Sequence, residues 1–472
     1  MTQSRAVRFA LPSAACAAIA ALIWALYGSG NVGYDTYYAL IWGDELSEGA
    51  LPSYEAPRSP IPHPLANLVS LIVTPLGNVS DDAWIAITLL SFGALAVAAF
   101  YLGRALVGWP VGVVFAIVLL TRPLLVEQAL STSIDIPFLA LVVAAAAVEV
   151  RRRGSWLPVL ILLGAAGLLR PEAWGVSAFY ILWTWRIVTP RERKWMVGIA
   201  ATAPVVWIGS DLIITGSPKW SFDQGRITAE RTGTPGGLTQ TISWAGRAMK
   251  GVLHLSIAFG GIVGVLLALR FYRQKALAPL GVLALGAASF LAIGFAGLPL
   301  ITRYFFLGGV MLALFFAVAL VGWTGLERGN RWRPWWMAGA AALALVLVAT
   351  TKYETESVQG RLREASRRGV VQEDLERLMN RAEFKTAIAG CKPLYSRVYR
   401  SRPQMLWLRR DQPAIDIVAN QRVAPTSGLL LRYVYERSPA PAIGFHNLAA
   451  STFWSLSGTC APGAVAIAPL TP

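Results

Sequence analysis

Long apolar runs recur along the first three quarters of the chain, and nothing else in it constrains a fold so tightly. Eleven can be marked, at about residues 9–28, 82–106, 109–121, 133–150, 156–169, 171–188, 195–215, 248–270, 276–297, 299–322 and 334–350. A helix rises ~1.5 Å per residue, so roughly 20 apolar residues match the hydrocarbon thickness of a bilayer. The shorter runs are read as tilted, broken or extended into the interface. Charged residues make up 14% of the chain and hydrophobic ones 55%, against roughly 25% charged in soluble domains. A water-soluble fold cannot hide that much apolar surface, whereas a bilayer does not require it to be hidden.

The net charge of +16 invites a nucleic-acid reading, but its placement argues otherwise. The basic residues lie in short gaps between apolar runs: Arg104, Arg151 to Arg153, Arg191 to Lys194, Arg270 to Lys275, and Arg328 to Arg333. If the runs alternate across a membrane, every one of these gaps falls on the side of Arg5 and Arg8. That is the positive-inside pattern of a multi-pass protein of the inner or plasma membrane with a cytoplasmic N-terminus. An odd number of crossings then puts residues 351–472 on the extracytoplasmic side. The Arg- and Ala-rich composition suggests a bacterial cell envelope.

Gaps on the opposite face, at about 29–81, 121–133, 169–172, 216–247 and 297–303, include two long polar loops, and chemistry concentrates on such loops. Residues 351–472 turn to soluble composition. The stretch 354–381 has helical spacing, and 404–409, 429–436 and 443–445 read as strands, which predicts a small α/β domain. Cys391 and Cys460 would share an oxidising compartment there, and a disulfide between them is expected. The three His are far apart, and no zinc-spaced cluster or phosphate-binding glycine loop occurs.

Gly33-Tyr34-Asp35-Thr36 follows directly on the first run. Asp35 has two readings. It can cap a helix that begins at Thr36, or it can take the proton from an incoming hydroxyl. If 35–46 is helical, Tyr38 and Trp42 share the face of Asp35, and Asp44 points away. The Pro-rich stretch 51–64 is a stiff loop. It leads to a segment, 63–76, too short to span and expected at the interface. Asp81 and Asp82 read as caps of the next helix.

These features, in this order, resemble the GT-C class of membrane glycosyltransferases. The long first loop with an Asp just after helix one is one part of the likeness. Leu168-Leu169-Arg170-Pro171-Glu172 resembles the class's Arg-Pro-Glu signature at a helix junction. Asp135 before Pro137 resembles its second-loop Asp, Thr215-Gly216-Ser217-Pro218 its Thr-Gly-x-Pro turn, and Thr302-Arg303-Tyr304 its late Arg-Tyr pair. The likeness covers about residues 1–350 and implies a helical transmembrane module of about eleven helices. It also implies a polyprenyl-phosphate sugar as donor, with Asp35 as the base. Tyr34 stands where some relatives carry a second acid. A divalent cation, Mg or Mn, used by some members, would engage Asp135.

Arginines near a membrane on the outer face are costly unless paired or used. Arg170, Arg226, Arg231 and Arg303 are therefore read either as phosphate ligands, whose planar fork suits two oxygens, or as salt bridges, for instance Arg170 with Glu172 or Asp135. Tyr304, Glu172 and Tyr38 complete the expected substrate-binding set. The resulting expectation is transfer of a sugar from a lipid phosphate to the hydroxyl of an acceptor that could be glycan, lipid or protein. A lipid-linked glycan flippase or transporter and a non-catalytic membrane assembly protein are the alternatives.

Overall fold

The computed structural model describes residues 5–232, 237–391, 393–396, 401–410, 417–419, 427–435 and 444–459. Every apolar run is built as helix. In chain order the helices are α1 (Arg5–Tyr27), α2 (Tyr34–Ser47), α3 (Pro64–Val73), α4 (Ser80–Leu106), α5 (Trp109–Leu120) and α6 (Pro123–Leu130). There follow α7 (Asp135–Arg151), α8 (Trp156–Gly167), α9 (Glu172–Thr184), α10 (Pro190–Thr215), α11 (Trp220–Thr232) and α12 (Leu238–Leu253). Last come α13 (Leu255–Phe271), α14 (Arg273–Phe295), α15 (Phe306–Val321), α16 (Arg333–Met379), α17 (Ala382–Gly390) and α18 (Arg402–Leu408). Among the described residues, six stretches are long and apolar enough to cross a membrane, or up to eight if each bent pair is one span.

The bundle is organised around α15, where every residue from 306 to 319 is buried. Helix α13 crosses it at Gly264, where a Cβ would sit 1.7 Å from the Phe315 carbonyl oxygen. Small residues permit such close approach where lipid offers no hydrophobic drive between helices. Helices α1, α10, α14 and the first part of α16 lie outside and expose large apolar side chains such as Trp24, Val205, Phe295 and Leu345. Lipid is the natural cover for such stripes.

Several expectations are corrected. The run 248–270 is not one straight helix. It breaks at His254, which has φ 68°, and α12 turns 98° from α13. The stretch 63–76 becomes α3 and the start of a 3-10 turn over Thr74–Val79, kinked at Gly77 with φ 63°. Helix α4 is not capped by Asp81, because Val79 holds the cap position. Asp81 accepts instead from Trp407 Nε1 at 2.8 Å and Tyr37 OH at 3.3 Å.

The expected boundary at 350 falls inside α16, one continuous helix of 47 residues that leaves the bundle and becomes the first helix of the soluble part. That part holds a mixed sheet of β1 (Leu394–Ser396), β2 (Ile417–Ala419), β3 (Leu429–Tyr433), β4 (His446–Ala450) and β5 (Trp454–Gly458). The strand order is β2-β1-β3-β5-β4. β1 runs parallel to β2 and β3, and β5 antiparallel to β3 and β4. Leu375, Phe384, Met405, Leu431 and Leu456 form its core. The expected strand at 404–409 is helix α18. Pro403 near its N-terminus favours a helical start, and Trp407 is buried where α18 docks on the bundle. Of the strand expected at 443–445, Ile443 lies outside the described residues, and β4 begins at His446. Cys391 is disulfide-bonded; its expected partner, Cys460, lies outside the described residues.

The soluble part is tied down at several points. Gln372 exchanges two hydrogen bonds with the Val32 backbone, at 2.8 and 3.1 Å. Arg402 donates to Tyr38 OH and the Pro57 carbonyl. Arg361 and Arg368 both reach Glu127, at 3.3 and 3.2 Å.

Candidate active site

A cavity of about 1280 Å³ opens at one end of the bundle. All five polar gaps expected on one face contribute to its wall, with Asn31 to Asp35, Ser131 to Ser133, Arg170, Lys219 and Arg303 among the lining residues. Among the described residues, the basic gaps of the other face contribute none. The polar gaps, and not the basic ones, thus meet at one cavity, in line with alternating crossings.

Asp35 is held by the turn that leaves α1. Gly28 and Gly30 adopt φ 85° and 84°, and a Cβ on Gly30 would lie 2.3 Å from the Leu130 carbonyl oxygen. The chain can therefore press against the α6–α7 connector. There Asn31 N donates to Leu130 O at 2.7 Å, Gly33 N to Thr132 Oγ1 at 2.7 Å, and Thr36 Oγ1 to Thr132 O at 2.7 Å. Helix α2 then starts at Tyr34 with Gly33 in the cap position. The capping reading of Asp35 does not hold: it sits in the first turn, and its Oδ2 accepts from Arg303 Nη1 at 2.9 Å.

Arg303 comes from the 3-10 turn before α15. The side chains of Asp35 and Arg303 keep 19% and 29% exposure. Arg303 Nε is buried with no hydrogen-bond partner, and so is Glu172 Oε2. Arg170 is different. It is 6% exposed and wedged between two acids, with Nε on Asp135 and Nη1 3.1 Å from Glu172 Oε1. Its guanidinium also lies 5.0 Å from the centre of the Tyr304 ring. The salt-bridge reading therefore describes Arg170, while Arg303 keeps donor capacity toward the cavity.

Burial alone would raise the Asp35 carboxyl. The guanidinium of Arg303, reinforced by that of Arg170, more than offsets it and holds the group below its usual range. His63 was not anticipated. It lines the cavity, and its Nδ1 faces the Leu169 carbonyl oxygen at 2.8 Å. A carbonyl only accepts, so Nδ1 carries the proton and Nε2 is left as an acceptor. Burial pushes this ring down to about 4, so it is neutral near pH 7.

Two expected ligands are placed elsewhere. Tyr38 is 1% exposed and belongs to an aromatic ladder in which Tyr34, Tyr38, Trp42, Tyr54 and Trp220 follow one another at 4.8–5.9 Å. Its face is buried beneath the Pro-rich loop, and Tyr34 lines the cavity instead. Arg226 donates to the Ala296 carbonyl at 3.2 Å and stacks on Phe222. The face of α11 toward the cavity carries Gln224, Gly225, Thr228 and Arg231, the three-to-four spacing from which 226 departs.

The expected divalent cation, Mg or Mn, does not fit the residues present. Asp135 gives its oxygens to Arg170 and Ser133. Among the described residues no group of three or more His, Cys, Asp or Glu converges on one point. The remaining surprises come from the soluble part. Arg367, Arg368, Gln372, Tyr433, Tyr435 and Trp454 roof the cavity. In sequence they lie in a helix, in strands and in the turn after β3, with no motif to mark them.

Fold and site together define a polytopic helical membrane protein whose terminal cavity is closed over by its own soluble domain. No protein-family model and no curated protein matches the chain. Its fold is shared with ArnT from Cupriavidus metallidurans. The crystal structure of that protein bound to undecaprenyl phosphate superposes with TM-score 0.58 at 14% identity, covering 98% of this chain and 99% of that one. The apo-state structure of the same protein gives TM-score 0.51 at 13% identity, covering 98% and 99%. The shared fold thus extends beyond residue 350 through the soluble domain.

Proposed function

We propose that the chain is a GT-C-type membrane glycosyltransferase that moves a sugar from a polyprenyl-phosphate donor to an acceptor hydroxyl. The single observation that carries this reading is the pairing of Asp35 and Arg303 within one cavity that is also apolar on one side. That side, with Trp174, Trp207, Ile208 and Phe222, reaches α10 and α11, where Ile208 and Phe222 are 44% and 43% exposed. A lipid tail can lie there while its phosphate meets the polar end. The likeness to a fold that binds undecaprenyl phosphate supports the same donor class.

In the proposed step the acceptor oxygen forms a bond to the anomeric carbon as the bond from that carbon to the phosphate oxygen breaks, with inversion. The acceptor's proton passes to the Asp35 carboxylate. The electron pair of the broken bond stays on the leaving polyprenyl phosphate, whose growing charge the free edge of Arg303 stabilises. Asp35 is a weak base, which suits a hydroxyl that becomes acidic only as its oxygen bonds to carbon. Arg170 fixes Asp135 and Glu172 around this centre, and Tyr304 lies against it.

The basic connectors support placing the cavity and the soluble domain on the extracytoplasmic side of the inner or plasma membrane. A lipid carrier would bring the sugar there, and no nucleotide is needed. A flippase would need a polar path toward the other face, and the apolar packing of α15 weighs against one. The test is release of polyprenyl phosphate by the purified full chain in nanodiscs, given a panel of short-chain polyprenyl-phosphate sugars. Turnover of at least one by wild type, lost in Asp35→Asn, is expected. Equal rates in both proteins would overturn the reading.

A further inference from the structure

The roof of the cavity has a composition that the donor does not require. On α16, Glu364, Arg367, Arg368 and Gln372 fall at helical spacing and all line the cavity. Beside them stand Tyr433 and Tyr435, with ring centres 5.9 Å apart. Arg367 ties the group together: its Nη2 donates to Tyr433 OH at 3.0 Å, and its guanidinium lies 5.5 Å from the Tyr435 ring centre. Phe453 stacks on Tyr433 at 6.3 Å and 14° and fixes that ring from behind. Tyr435 is nevertheless 62% exposed.

We infer that this roof is the acceptor subsite and that the acceptor is a carbohydrate. The inference rests on the glycosyltransferase reading and names its second substrate. A cavity of 1280 Å³ exceeds the roughly 300–1,000 Å³ that houses one drug-sized ligand, so it has room for a donor headgroup and another molecule. A sugar ring offers a face of C–H groups and a rim of hydroxyls. The face packs on an exposed aromatic ring, and the rim pairs with planar polar side chains. Tyr435 supplies the ring, and Arg367 and Glu364 the rim. An acyl chain would find too many charges here. An extended peptide would need an open strand edge, and β3, which carries Tyr433, is paired on both sides.

The test uses the full chain in nanodiscs on an array of defined oligosaccharides, with a Ser/Thr-rich peptide and lysophosphatidylethanolamine as comparison arms. Binding to at least one oligosaccharide class is expected. Tyr435→Ala and Arg367→Ala weaken it tenfold or more, and Tyr435→Phe stays within twofold. Hydrolysis of a polyprenyl-phosphate sugar by water is followed in the wild-type chain as the separate readout of the donor site. No binding to any oligosaccharide, preference for the peptide or the lysolipid, or unchanged binding in Tyr435→Ala overturns the inference. Failure of the wild-type chain to bind or hydrolyse any polyprenyl-phosphate sugar, with oligosaccharide binding intact, overturns the donor reading instead.

Discussion

Arg303 donates to Asp35 across 2.9 Å and so joins two groups that lie 268 positions apart in sequence. One belongs to the first turn after α1, the other to the turn before the central helix α15. The pair locks the entrance of the bundle to its core. It also sets an acid and a base side by side with part of each open to the cavity.

Removing the Asp35 charge tests the proton-transfer role directly. Asp35→Asn keeps the shape and a hydrogen-bonding oxygen for Arg303 but accepts no proton. Positioned general bases contribute about 10²–10⁴ in rate, so turnover of the donor should fall by that range while its Kd changes little. Single-turnover assays alongside donor binding provide the check. A loss of less than about threefold removes Asp35 from the chemistry.

Arg303→Lys keeps the charge and discards the fork. Losing one donor aimed at developing charge costs about 10²–10³ in kcat. The expected signature is a fall in kcat larger than the rise in KM, because the phosphate gains charge only as its bond to the sugar breaks. Arg170→Lys should differ. It disturbs a group that is 6% exposed and salt-bridged to Asp135 and Glu172, so a lower Tm should accompany any lost activity.

Two depressed groups each contribute a pH dependence. His63 is pushed down to about 4 in the folded chain, against roughly 6.5 in an unfolded one. Between those values the unfolded chain binds a proton that the folded chain does not. Stability therefore rises with pH across about 4–6.5 and is lost as pH falls through that window. Asp35, held below its usual range, adds stability that is present above ~3.9 and is lost only below it. The Tm of wild type should thus fall relative to that of His63→Gln between pH 6.5 and 4. The rate should show no acid limb from Asp35 between pH 5 and 8. A limb near 6 that vanishes in Asp35→Asn contradicts this.

Cys391 is disulfide-bonded and Cys16 is a free thiol. Mass spectrometry of a non-reduced digest should show Cys391 linked to Cys460. Loss of a native disulfide from a small domain costs about 2–5 kcal/mol, so Cys391→Ser should lower the Tm. Cys16→Ser, within the exterior helix α1, should not. A Cys391 that reacts with a thiol reagent before reduction ends this prediction.

The apolar runs made the helices legible because burial in lipid writes itself continuously into sequence. The charge gaps then sorted the loops, and that sorting recurs in the residues that line the cavity. Asp35, Arg170, Glu172, Arg303 and Tyr304 were within reach because each sits at the end of a run, where a polar residue stands out. Tyr38 and Arg226 lie apart from the cavity for different reasons: the helix face of Tyr38 is buried beneath the Pro-rich loop, whereas Arg226 turns to the Ala296 carbonyl and Phe222. The roof was illegible because Arg367 and Tyr435 meet only through tertiary docking, and their local sequence is that of any soluble domain. Residues 404–409 read as a strand because they form a short apolar run, while contact with α2 and Asp81 selects the helix.

Helix α16 runs unbroken for 47 residues, about 70 Å at the usual rise. A rod of that length has no hinge between its apolar start and the arginines above the cavity. Raising the lid therefore means tipping the last span within the bilayer, and a few degrees at the base become several ångströms at the tip.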